Sequence, residues 1–327
     1  MSALHCILLM FLIYFSKTSA NSVCDKFALS SVDALVHKQI NSRAIFHREE
    51  NFNSLDGYIN IDVVRANASR LCTGMVKNFP ALESLAFINA NLTEIEPGTF
   101  QDVPRLKKVY LSVNLIKHLP RGVFNTVPSI KIIYLSRNEI ETIEDAAFSL
   151  MPNLKSVHLD HNKLTSLSGN VFFGSPLISQ VDFSHNELTS INRNSFDDLR
   201  PSSHISHIDI FLQSNKINSI DSEALRPLKP VNLYLQRNEI TRLSEIITAL
   251  REKSRVYLEN NKVTCVPDDA LQIIKATDLK VYLRNNPVQC ECVERIDNIL
   301  DEESRGELNV VTTLPCNVDF PFFGNNL

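Results

Sequence analysis

The chain has 327 residues, with 33 Lys and Arg against 37 Asp and Glu and a net charge of −4. This mild acidity speaks against a nucleic-acid partner, which calls for a clustered basic face. Only eight glycines occur, and there is no G-x-S-x-G, H-E-x-x-H or phosphate-loop motif; no catalytic residue, cofactor or metal is therefore assigned.

Residues 1–20, MSALHCILLMFLIYFSKTSA, hold an apolar run of about ten residues, too short to span a bilayer, followed by small residues suited to cleavage after Ala20. The stretch reads as a secretory signal, with a signal anchor as the lesser alternative, and no later segment is a membrane span. Without it the chain keeps 32 basic against 37 acidic side chains, a net charge of −5, and six cysteines: Cys24, Cys72, Cys265, Cys290, Cys292 and Cys316. An even count in an oxidising compartment points to disulfides. Residues 21–58 are expected to form an amino-terminal cap.

From residue 59 onward the sequence repeats itself. An asparagine recurs at Asn114, Asn138, Asn162, Asn186, Asn215, Asn238, Asn261 and Asn286, at intervals of 24, 24, 24, 29, 23, 23 and 25. Stepping back by 24 reaches Ala90 and Ala66, each followed by Asn, so residues 59–289 should form about ten units. In LKKVYLSVNLIKHL (106–119), LKSVHLDHNKLTSL (154–167) and ISQVDFSHNELTSI (178–191), positions five and three before the asparagine and two after it are apolar. Phenylalanine recurs ten residues past it, at Phe100, Phe124, Phe148, Phe172 and Phe196, and proline at Pro80, Pro104, Pro128, Pro152 and Pro176.

The pattern L-x-x-L-x-L-x-x-N-x-L resembles the leucine-rich-repeat family over residues 59–316, and the Phe-bearing units look like those of its extracellular Toll- and Slit-like members. The resemblance implies an α/β solenoid: a horseshoe with a parallel concave β-sheet and disulfide-closed caps. The same follows physically. Each L-x-L segment is a short strand with alternate side chains inward, units stack at about 4.8 Å, and no unit has a core of its own. A buried Asn at the turn must have its amide satisfied, so it should bond the backbone of neighbouring rungs.

After Asn186 the unit gains five residues around 200–204, and beyond it the outermost leucine column fails, with His207, Pro230, Lys253 and Asp278 in its place. Looser convex structure is expected there.

Cys265 and Cys290 each lie four residues past a ladder asparagine. On adjacent rungs of one column their α-carbons would be about 5 Å apart, within disulfide reach. That pairing leaves Cys292 for Cys316 and Cys24 for Cys72; Cys292 in place of Cys290 is the alternative. The family's carboxy-terminal caps begin N-P-x-x-C-x-C, which NNPVQCEC matches, so residues 290–327 are read as a cysteine-bearing cap. Its helix is expected in VERIDNILDEE (293–303), with Val293, Ile296, Ile299 and Leu300 inward. A zinc site of Cys265, Cys290, Cys292 and Cys316 is disfavoured in a secreted chain without paired C-x-x-C knuckles.

Between the inward residues of each strand one side chain faces the concave side: Asp62, Ala86, Tyr110, Tyr134, His158, Asp182, Phe211, Tyr234, Tyr257 and Tyr282. Rings in a row suit a protein-binding surface, although Tyr also packs across strands for purely structural reasons. The partner-binding candidates are the eight from Tyr110 onward, with Phe211 to Tyr282 carrying most of the binding. His158, Asp160 and Asp182, with His161 and His185 nearby, form a set able to hold a metal or titrate together; the plainer account is ordinary exposed strand ends. Asn67-Ala-Ser and Asn91-Leu-Thr are glycosylation sequons 24 residues apart, one place past the ladder, so a partner should avoid that edge.

These features point to a secreted, non-enzymatic binder of an extracellular protein, in recognition, adhesion or innate immunity. The alternatives are a non-catalytic accessory subunit of a secreted enzyme complex, similar in architecture to that of a crustacean luciferase, and a structural matrix protein. Oligomeric state is open.

Overall fold

A computed structural model describes the strands Asp33–Gln39 and Ser42–Ile45 and residues 60–64, 69–199, 205–228, 230–250, 253–300 and 308–309. The leader 1–20, Cys24, Ala66, Asn67, the insertion 200–204 and Cys316 lie outside these residues.

A single 13-stranded sheet runs the length of the molecule. At its amino end Asp33–Gln39 pairs antiparallel with Ser42–Ile45 and with Asn60–Val64, placing a hairpin over an edge that would otherwise be open. From Asn60–Val64 onward every pairing is parallel, through Ser84–Ile88, Lys108–Tyr110, Ile132–Tyr134, Ser156–His158, Gln180–Asp182, Ile208–Phe211, Val231–Tyr234, Arg255–Tyr257, Lys280–Tyr282 and Leu308–Asn309. Each strand repeats the sequence register without a slip across units, the arrangement of a leucine-rich-repeat horseshoe.

The core is the stack of apolar columns. Val109, Ile133, Val157, Val181, Ile210, Leu233, Val256 and Val281 are fully buried, as are Leu111, Leu135, Leu159 and Leu212 behind them. On the convex side Phe100, Phe124, Phe148 and Phe172 stack with centroids 5.8, 5.8 and 5.6 Å apart. Large rings fill that side because the outer arc of a curved array is the longer one.

The ladder asparagines are buried from Asn114 to Asn286. Asn162 is representative: its Oδ1 accepts from Ile140 N at 2.9 Å, and its Nδ2 donates to Leu135 O at 3.0 Å and Leu159 O at 2.9 Å. One amide thus ties two rungs. The residue before each asparagine has a left-handed backbone (Val113, Arg137, His161, His185, Ser214, Arg237, Asn260, Asn285), which turns the chain so that the amide points inward.

Beyond the insertion the described residues still bury an outer column. The failed column is replaced by its neighbour one residue nearer the strand, and Ile208, Val231, Ser254 and Leu279 are buried there. Helices Ser244–Ala249 and Asp268–Ala276 form the convex side. The second follows Pro267, opens with Asp268 and Asp269 at its positive end and closes with Lys275, while Ala270, Leu271 and Ile274 bury one face. The four replacements His207, Pro230, Lys253 and Asp278 all line one open cleft at the sheet edge.

The carboxy-terminal helix spans Cys290–Ile299, three residues earlier than 293; Ile296 and Leu300 are buried, with Val293 and Ile299 packed against the core. This corrects the cysteine pairing. Cys265 joins Cys292, not Cys290, with Cα atoms 5.4 Å apart, and the Cys292–Cys316 pairing falls with it. Because the helix begins at Cys290, two further residues turn the chain about 200°, carrying Cys292 into the core and leaving Cys290 on the exposed face. Cys72 is disulfide-bonded.

Candidate concave binding face

The concave column assembles as a line of directly paired residues. Asp62 pairs with Ala86, Ala86 with Tyr110, Tyr110 with Tyr134, Tyr134 with His158, His158 with Asp182, and Asp182 with Phe211. Phe211 pairs with Tyr234, Tyr234 with Tyr257, Tyr257 with Tyr282, and Tyr282 with Asn309. All eight candidate residues therefore lie on one surface. The short in-register rung spacing forces neighbouring rings face to face.

Two stacks result. Tyr110, Tyr134 and His158 have centroids 4.6 Å apart at each step. Phe211, Tyr234, Tyr257 and Tyr282 follow at 4.4, 4.7 and 4.7 Å with planes within 8° of parallel. Asp182 interrupts the line between them. Burial raises the phenols of Tyr234 and Tyr257 above the usual tyrosine range, helped at Tyr234 by Asp209 and at Tyr257 by Tyr282. Both stay neutral near pH 7 and present a hydroxyl edge to the bowl.

The columns flanking the rings were not singled out by sequence reasoning, although the two-residue period of a strand places them on the same face. On one side stand Asp209, Asn232, Arg255 and Lys280, with Asn232 Nδ2 donating to Asp209 Oδ1 at 2.7 Å. On the other stand Gln213, Gln236, Glu259 and Arg284, whose carbonyls accept from the following turns of the preceding rungs. Gln213 Oε1, Gln236 Oε1 and Glu259 Oε2 are buried without a hydrogen-bond partner in the structure. Burial raises the Glu259 carboxyl above the usual range. The signal available in the sequence was the recurrence of long polar residues two places after each ring.

Near the middle of the face His158, Asp160 and Asp182 come together, each offering a donor atom within 4.8 Å of the others. His161 and His185 stack beside them at 4.2 Å. Burial lowers the His158 imidazole despite Asp182 and Asp160 nearby, and burial with His161 lowers His185. For Asp160, burial pushes upward but is outweighed by hydrogen bonds from Ser136 and His161, leaving its carboxyl below the usual range.

At the edge one place past the ladder, Asn91 is exposed, on a left-handed backbone; Asn67 lies outside the described residues. Further along that edge opposite charges alternate and close on each other: Glu139 with Lys163, Glu187 with Lys216, and Glu239 with Lys262. The edge is thus neutralised from within.

Residues 104–162 and 152–206 match the family described as Leucine rich repeat. No curated protein matches the sequence. Among solved structures, the chain is similar to one in the mouse RP105/MD-1 complex, at 20% identity and a TM-score of 0.56, over 78% of this chain and 51% of that one. It is also similar to one in the Drosophila Toll–Spatzle complex, at 16% identity and a TM-score of 0.58, over 71% of this chain and 31% of that one. This chain thus spans about half the length of the first and a third of the second. The likenesses establish a leucine-rich-repeat fold and bear out the resemblance stated from the sequence. No helix among the described residues is long and apolar enough to cross a membrane.

Proposed function

We propose that this chain is a secreted, non-enzymatic leucine-rich-repeat protein that binds an extracellular protein through its concave face, in recognition, adhesion or innate immunity. The observation that carries this reading is the four-ring stack Phe211–Tyr234–Tyr257–Tyr282 on an open sheet. Stacking holds these rings before a partner arrives, so little side-chain freedom is lost on contact. Tyrosine edges combine apolar area with a hydroxyl, the chemistry of interface anchors. The flanking charges, Asp209 on one side and Arg255, Lys280 and Arg284 towards the carboxyl end, would set orientation.

Three further features support the reading. The similar chains of known structure were solved in complexes named for two proteins each, RP105 with MD-1 and Toll with Spatzle. The Cys265–Cys292 disulfide suits an oxidising compartment, in keeping with a signal peptide at 1–20. The organisation that goes with it is a cap at 21–58, repeats over 59–289 and a cysteine-bearing cap at 290–327. Glycans on Asn67 and Asn91 and the self-paired charges beyond them leave the concave face as the surface for the partner.

The test is capture of a partner from native extracellular fluid on the immobilised chain, identification by mass spectrometry, and titration of the purified pair. The triple variant Y234S/Y257S/Y282S should weaken that binding at least tenfold with the fold intact. Unchanged affinity would place the binding surface elsewhere.

A further inference from the structure

The gap between the two ring stacks contains a donor set that the partner reading does not use. His158 and Asp182 face each other across adjacent strands, and Asp160 lies two residues along from His158. One donor atom from each falls within 4.8 Å of the other two.

Each side chain is held from behind. Ser156 Oγ lies 2.8 Å from His158 Nε2, which leaves Nδ1 for another partner. Asp160 accepts from Ser136 Oγ at 2.6 Å and contacts His161 Nδ1 at 3.0 Å. Asp182 Oδ1 accepts from Ser184 N at 2.9 Å. Outer partners of this kind orient the ligands of metal sites.

Among the described residues no Lys or Arg is ion-paired with Asp160 or Asp182, and the ring that meets Asp160 is the His161 imidazole, at 3.0 Å. One imidazole and two carboxylates within reach of one another make a mixed nitrogen and oxygen donor set.

We propose that His158, Asp160 and Asp182 bind a divalent transition-metal ion of the Zn²⁺ class on the concave face. One nitrogen and two carboxylate oxygens form a borderline donor set, unlike the all-oxygen cages of Ca²⁺ or the thiolates of Cu(I). Around Zn²⁺, bonds of about 2.0–2.1 Å place tetrahedral ligands roughly 3.3 Å apart, so small rotations close the set. Three protein ligands leave a position open towards the bowl, for water or for a side chain of whatever docks there. The site stands independently of the partner reading, since it needs only this chain.

The experiment titrates the full chain, free of any histidine tag, with Zn²⁺ by calorimetry at pH 7.5, and with Co²⁺ by visible absorption. One ion should bind per chain, and Co²⁺ should show the d–d bands of low-coordinate geometry. H158Q and D182N should each weaken binding by about 100-fold or more, beyond the outer-shell effect of about 10–100-fold; H185Q should leave it unchanged. Circular dichroism and the urea midpoint establish that the variants are folded, and D182N, nearly isosteric on an open surface, serves alone if H158Q is not. Absence of stoichiometric binding by the native chain would overturn the proposal. So would binding that survives both substitutions, or that depends on His185 instead.

Discussion

The asparagine ladder makes a quantitative prediction because its hydrogen bonds are shared. Leu135 O accepts from Asn138 Nδ2 at 2.9 Å and from Asn162 Nδ2 at 3.0 Å. Replacing Asn162 by Ala removes the acceptor of the Ile140 N–H, but Leu135 O keeps Asn138 and Leu159 O keeps Asn186. One buried orphan donor at about 1–3 kcal/mol, with two weakened carbonyls at about 0.5–1.5 kcal/mol each, gives a loss of roughly 2–6 kcal/mol. N138A similarly orphans the Ile116 N–H. In the double variant N138A/N162A, however, Leu135 O loses both donors. The double loss should therefore exceed the sum of the singles by about 1–2 kcal/mol. N138A/N186A is the control, since Asn186 serves Leu159 O and Phe183 O and shares no carbonyl with Asn138. Urea unfolding at matched m-values measures the unsubstituted chain, the singles N138A, N162A and N186A, and the two double variants. If the adjacent pair proves as additive as the separated one, shared satisfaction of the carbonyls is not what holds the rungs together.

Val113 is β-branched and exposed, yet has φ 59°; since a left-handed backbone costs about 1–2 kcal/mol for ordinary residues and less for Asn, V113N should stabilise by about 1 kcal/mol, read as a raised thermal midpoint. Non-reducing peptide mapping should recover Cys265 linked to Cys292. The C265S/C292S variant should lose roughly 3.5 kcal/mol in the chain-entropy model for a separation of 27 residues, and recovery of Cys265 with Cys290 instead would refute the helix register. His158 is lowered in the folded state, mainly by burial, so the unfolded chain binds its proton first. Its contribution to stability is present above the unfolded value near 6.5 and is lost as pH falls through the folded one. The drop in urea midpoint from pH 7.5 to pH 5 should be smaller in H158Q, and an equal drop would exclude His158 as a cause.

How far the sequence reached depended on whether a residue's neighbours follow from its repeat position. In a solenoid a fixed period becomes a fixed direction in space, so Asn114 to Asn286, the phenylalanine spine and the ring column could be aligned by counting alone. The same two-residue period marks Gln213, Gln236 and Glu259 on the concave face, but their unpaired buried oxygens depend on side-chain conformations that no period encodes. Counting failed where the chain leaves the repeat. Cys290 sits in register with Cys265, yet a helix beginning there rotates successive side chains by about 100° and delivers Cys292 to the core. Beyond the insertion, the buried column moved one residue to Val231, Ser254 and Leu279 because packing selects whichever neighbour the convex helices bring inward. His158, Asp160 and Asp182 show the division most plainly: their rungs were legible from spacing, while their convergence and the lowered imidazole of His158 depend on burial and on the serines that hold the side chains, which are tertiary facts.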